Sequence, residues 1–148
     1  MLHKLIRKLV DRLLDNFTYL IFKKTINKYY GFDEVVIFDL DNTLIDTYPL
    51  LNHMPLHEVF SNAVIHPNMM KILNDLSVKG VYVYILTSRK FQFYGVTKKY
   101  LSKNINFKIP FYLVSEPIKK LKFVKYSSIV FNKVSYYDDL SFNHENGE

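Results

Sequence analysis

The chain has 148 residues, 49% of them hydrophobic, with no cysteine, no tryptophan and a formal net charge of +6. That length sets one domain as the starting expectation, and the lack of cysteine excludes disulfides, thiolate catalysis and zinc–sulfur centres. The charge is uneven: residues 1–30 hold Lys4, Arg7, Lys8, Arg12, Lys23, Lys24 and Lys28 against Asp11 and Asp15, which is +5 of the +6.

Within residues 1–30, Leu2, Leu5, Ile6, Leu9, Val10, Leu13, Leu14, Phe17, Leu20 and Ile21 recur at three- and four-residue spacing. This predicts one helix or two, with the basic residues opposite the apolar stripe. The plain expectation is that the stripe packs on the domain or on a second copy; an interfacial membrane helix is the alternative. Any attraction to nucleic acid or anionic lipid is expected from this arm first. Gly31 reads as a helix stop. No run of about 18 uncharged apolar residues suggests a transmembrane helix, and no continuous apolar region near the start suggests a signal peptide. A cytoplasmic protein is therefore expected.

Residues 35–40 form a short apolar run rich in β-branched side chains, which predicts a buried strand. Residues 41–66, punctuated by Pro49 and Pro55 and followed by Pro67, read as loop and short helix. Then come a helix over 67–79 stopped by Gly80, a strand over 81–86, a helix over 91–102, a strand over 111–114, a helix over 118–131 and a strand over 134–137. A polar tail, 143–148, follows. Strands alternating with helices imply a mainly parallel sheet in a three-layer α/β fold, whose ligands gather off the carboxyl ends of the strands. Three strands end there in polar residues: Asp39 and Asp41, Thr87 and Ser88, Asp138 and Asp139.

Carboxylates crowded at one edge raise one another's pKa unless a cation lies between them. Oxygen donors without cysteine favour a hard ion such as Mg²⁺, which keeps coordination positions open for phosphate oxygens. Hydroxyls at Thr87 and Ser88 suit a phosphoryl group, and a nearby lysine would offset its charge. One carboxylate can attack phosphorus, while another two residues on moves the proton.

The sequence "FDLDNTL" at residues 38–44 resembles the first motif of the haloacid dehalogenase (HAD) phosphohydrolases. "YILTSR" at 84–89 is similar to the second motif, and "YYDDL" at 136–140 to the fourth. The resemblance implies a Rossmann-like core over 33–148, preceded by the amphipathic helical arm of 1–32. It implies Asp39 as nucleophile, Asp41 as general acid/base, and Asp39, Asp41, Asp138 and Asp139 around Mg²⁺. Thr87 and Ser88 would hold phosphate, and Thr43 would steady the loop. The lysine of the third motif falls in "KKLKFVK": Lys119 is favoured, then Lys122, over Lys120 and Lys125.

Arg89 is placed either toward a substrate phosphate or on the surface. Asp46 and Tyr48 are weaker candidates for the site entrance, His144 is placed either in the site or on the surface, and His53, His57 and His66 lack metal-ligand spacing. The stretch between Asp41 and Thr87 leaves too little chain for a cap domain. A capless HAD phosphatase suits a large substrate that covers the site itself. The chain resembles the polynucleotide 3′-phosphatase type most, on its short motif spacing, basic segments and "DDLSFNH" ending. Alternatives are a nucleotide, small-molecule or phosphoprotein phosphatase, or a non-catalytic protein acting at a membrane surface or on another subunit.

Overall fold

A computed structural model describes residues 1–105 and 109–139. In chain order the elements are α1 (Leu2–Ile26), β1 (Glu34–Phe38), β2 (Ile45–Asp46), α2 (Leu56–Asn62), β3 (Val64–Ile65) and α3 (Pro67–Val78). These are followed by β4 (Tyr82–Thr87), α4 (Tyr94–Asn104), β5 (Phe111–Leu113), α5 (Lys120–Val130) and β6 (Lys133–Tyr137). Local chemistry explains several boundaries. Pro67 opens α3 at the position where its missing N–H costs nothing. Gly80 follows the end of α3 at φ +70°, in the left-handed region that lets the chain turn into β4.

The four longer strands form one parallel sheet in the order β5-β4-β1-β6. The chain moves outward from β1 through β4 to β5, then returns to place β6 on the other side of β1. The order therefore reverses between β1 and β6, and the carboxyl ends of strands beside such a reversal frame a crevice. β2 and β3 make a separate antiparallel pair. Residues 41–66, expected as loop and short helix, thus hold this pair as well as α2. Among the described residues no further domain stands over the carboxyl edge.

Two apolar layers sandwich the sheet. On one face Val36, Phe38, Val83 and Ile85 meet Leu73 of α3 and Tyr100 and Leu101 of α4. On the other, Val35, Ile37, Tyr84 and Tyr112 meet Phe123 and Val130 of α5 together with Phe22 and Ile26 of α1. The Phe22 ring lies 4.7 Å from that of Phe123 and 5.3 Å from that of Tyr84. A division at residue 32 therefore runs through the core. Nor does the long apolar stripe of α1 pack on the domain: Leu9, Leu13 and Phe17 are 58%, 60% and 61% exposed. The packed side of the helix is the opposite one, carrying Asp15, Tyr19, Phe22 and Ile26.

Candidate active site

β1 delivers Asp39 at its end because the ladder continues one residue past Phe38: the Asp39 N–H donates to the Tyr137 carbonyl at 2.8 Å. Phe38 is in register with Tyr137, so Asp39 and Asp138 emerge side by side. The loop after Asp39 is held by Asn42, a non-glycine residue at φ 59°. Its N–H donates to the Ile45 carbonyl at 2.6 Å. Its side-chain oxygen accepts from the Thr47 N–H at 3.1 Å and the Thr47 hydroxyl at 2.9 Å. Asn42 and Thr47 escaped the sequence reading, although an asparagine between two motif residues is a recognisable left-handed turn signal. Thr43, the residue expected to steady this loop, donates its N–H to the Leu40 carbonyl at 3.4 Å. Its buried hydroxyl has no hydrogen-bond partner among the described residues.

The lysine nearest the aspartates is Lys120. Its Nζ lies 2.9 Å from Asp39 Oδ1 and 3.1 Å from Asp138 Oδ2, and the residue is buried. The two favoured lysines sit elsewhere. Lys119 Nζ donates to Asp15 Oδ2 at 2.6 Å and to Ser115 Oγ at 2.8 Å, tying α5 to α1. Lys122 holds its ammonium 4.5 Å over the Tyr19 ring, and Lys125 is exposed. The difference is rotational. α5 begins at Lys120, and successive helix residues are turned by about 100°, so adjacent lysines point to different sides.

Asp41 is gripped by Arg89. Nε donates to Oδ2 at 2.8 Å and Nη2 to Oδ1 at 2.5 Å, a bidentate geometry that fixes the carboxylate plane. Arg89 is neither at the surface nor turned to the open cleft. It is 2% exposed, donates from Nη1 to Thr97 Oγ1 at 2.8 Å and lies 3.6 Å over the Phe60 ring. Thr87 is buried with its hydroxyl 3.5 Å from Asp41 Oδ2, whereas Ser88 is exposed.

These groups border a cleft of about 260 Å³ whose apolar wall includes Leu51, Leu56 and Phe60. Tyr48 reaches its rim, donating to Asp139 at 3.5 Å. Asp46 lies in β2 opposite Val64 and does not line the cleft. His144 lies outside the described residues.

Among the described residues, Lys120 is the cation paired with Asp39 and Asp138, and Arg89 the one paired with Asp41. Burial pushes Asp39 up to about 7, and the Asp138 charge adds to this while Lys120 opposes it. Burial, followed by the hydrogen bond to Asp138, pushes the Tyr136 hydroxyl upward, so it stays protonated and donates to Asp138. Asp39 Oδ1 is buried, and its close partner is the Lys120 ammonium 2.9 Å away. Carboxylate oxygens of Asp39, Asp138 and Asp139 lie within 4.8 Å of one another. Three convergent carboxylates, one of them buried, fit a divalent metal ion with oxygen ligands.

A parallel sheet in this order, with acidic residues following the neighbouring strands β1 and β6, is a Rossmann-like α/β fold. Comparison with solved structures agrees. The chain is similar to the class C acid phosphatase from Bacillus anthracis with tungstate bound, with a TM-score of 0.57 and 20% identity over 88% of this chain. A second structure of the class C acid phosphatase from Bacillus anthracis gives a TM-score of 0.54 and 19% identity over 84% of this chain. The chain spans 61% and 65% of the lengths of those two chains. No protein-family model and no curated protein matches the sequence.

Proposed function

We propose that the chain is a divalent-cation-dependent phosphomonoester hydrolase working through an aspartyl-phosphate, with Mg²⁺ as the ion. The observation that carries this reading is the meeting of Asp39, Lys120 and Asp138 in a cleft at the sheet's reversal point. The fold likeness to acid phosphatases, one of them holding tungstate, supports it.

An Asp39 carboxylate oxygen attacks phosphorus, forming an Asp39–phosphate bond as the bond to the leaving oxygen breaks. Asp41 gives its proton to that oxygen. Asp41 then takes a proton from water as the water attacks phosphorus, freeing inorganic phosphate and restoring Asp39. Arg89 holds Asp41 in one orientation through both carboxylate oxygens, so Asp41 takes up and gives the proton as that pairing loosens. Lys120 and the hydroxyl of Thr87 offset charge on the phosphoryl oxygens. Asp39, Asp138 and Asp139 would hold Mg²⁺, which when bound supplies positive charge to the phosphoryl group.

With no further domain over the cleft among the described residues, the reading includes a substrate larger than the cleft. A nucleic-acid 3′-phosphate end is the first such class to test. Lys119 and Lys122, turned toward α1, lend it no support at the cleft itself. The test is hydrolysis of p-nitrophenyl phosphate with Mg²⁺, followed by a screen of 3′- and 5′-phosphorylated oligonucleotides, nucleotides and phosphopeptides. Activity should need Mg²⁺ and disappear in Asp39→Asn. A protein inactive on every one of these substrates would sink the enzymatic reading, and a clear preference for mononucleotides would remove the polynucleotide.

A further inference from the structure

We propose that the N-terminal half of α1 docks the protein on the surface of an anionic lipid bilayer, with its apolar stripe among the lipids. This inference rests on the exposure and charge of α1, not on the phosphatase reading.

The stripe is too large to be incidental. Leu2, Leu5, Leu9, Leu13, Phe17 and Leu20 all stand more than half exposed on one side of the helix, while the opposite side is packed on the sheet. Isolated exposed apolar residues are ordinary, but a contiguous apolar surface of this length marks an interaction site. It also continues onto the domain, where Phe17 and Ile21 share a groove with Phe91, Tyr94 and Phe111.

Shape and charge select the occupant. At about 100° per residue, the stripe from Leu5 to Ile21 covers roughly 160° of the helix circumference. That is wider than the narrow seam of a two-helix coiled coil. α1 carries six bases, Lys4, Arg7, Lys8, Arg12, Lys23 and Lys24, against Asp11 and Asp15. Asp15 is already paired with Lys119. Anionic headgroups complement this positive charge, each nearby base contributing about 1 kcal/mol. No described helix is long and apolar enough to cross a membrane, so α1 would lie in the interface plane.

The placement couples docking to the cleft. Asp15 accepts hydrogen bonds from Ser115 just beyond the carboxyl end of β5, and Ile26 lies in the core. Residues 2–14 therefore run about 20 Å beyond Asp15, on the side of the sheet where Asp39 and Asp138 emerge. A docked α1 would hold the cleft at the lipid surface, within reach of phosphorylated groups displayed there.

The experiment is co-sedimentation of the full chain with phosphatidylcholine vesicles, with and without about one third phosphatidylserine. Binding is expected at least about tenfold stronger with phosphatidylserine and should weaken with added salt. The double variant Leu9→Glu, Leu13→Glu should lose vesicle binding while keeping its thermal melt and its p-nitrophenyl phosphate hydrolysis. Equal or no binding to both vesicle types overturns the proposal. So does a wild-type dimer in sedimentation velocity that the double variant converts to monomer without any vesicle binding, which would assign the stripe to a second copy. Retention on a nucleic-acid duplex with no vesicle binding would assign the basic residues elsewhere and overturn it equally.

Discussion

Lys119 and Lys120 are adjacent, carry the same charge and end on different sides of the sheet edge. Lys120 is buried against Asp39 and Asp138, while Lys119 closes a clamp on Asp15 with Ser115. Their substitutions should separate cleanly. Lys120→Met removes the cation paired with the two aspartates and should lower kcat by about 10²-fold or more, read with p-nitrophenyl phosphate. Lys119→Met should leave kcat within about threefold but lower Tm. It strands the buried Asp15 at a cost of about 1–3 kcal/mol, below the full value for a buried pair because Lys119 keeps partial exposure. The reverse pattern would move the phosphate-binding role back to Lys119. The aspartates were legible in the sequence because they end strands, where position fixes direction. The lysine was not: four lysines within seven residues lie at or just before the start of one helix, and a one-residue change in where it begins swings each to another side.

At the scale of elements, the strands and most helices were readable from apolar runs and their breakers, with ends moved by one to four residues. α1 shows what such reading misses. Its strongest periodic signal, the ten-residue apolar stripe, is not the signal that packs. The packed side is shorter and mixed, with Tyr19, Phe22, Ile26 and a buried aspartate whose acceptor capacity is met by Ser115 and Lys119. Apolar periodicity reports that a face seeks a nonaqueous surface, not which surface it finds. The consequence is measurable by chemical denaturation. Phe22→Ala should cost about 3–5 kcal/mol, as for a large ring removed from a packed core. Leu13→Ala, on the exposed side, should stay within about 0.5 kcal/mol. Equal small effects at both positions would mean that α1 is a detachable arm.

For the whole molecule, the acidic edge couples stability to both pH and cation. Asp39 is held up to about 7 in the fold, chiefly by burial, against about 3.9 for a free aspartate. Between those values the folded state binds more protons than the unfolded chain, so stability must fall as pH rises through this window and level off above it. The span corresponds to at most about 4 kcal/mol. A divalent ion reverses the sign, since it binds the ionised carboxylates and needs them deprotonated. Its stabilisation therefore grows with pH and with its concentration relative to its Kd. Thermal melts at pH 5, 7 and 8, in EDTA and in millimolar Mg²⁺, should show this crossing. In EDTA this group draws Tm down from pH 5 to 7. With Mg²⁺ the curve lifts most at pH 8 and little at pH 5. Asp39→Asn should be more stable than the parent in EDTA at pH 8, because the ionisation that burial opposes is gone. It should also respond far less to Mg²⁺. Asp138→Asn should lose the Mg²⁺ response while leaving Lys120 its contact with Asp39. Melts that ignore Mg²⁺ at pH 8, or an Asp39→Asn variant less stable than the parent there, would show that the edge is held by Lys120 alone. The cation's place between Asp39, Asp138 and Asp139 would then have to be abandoned.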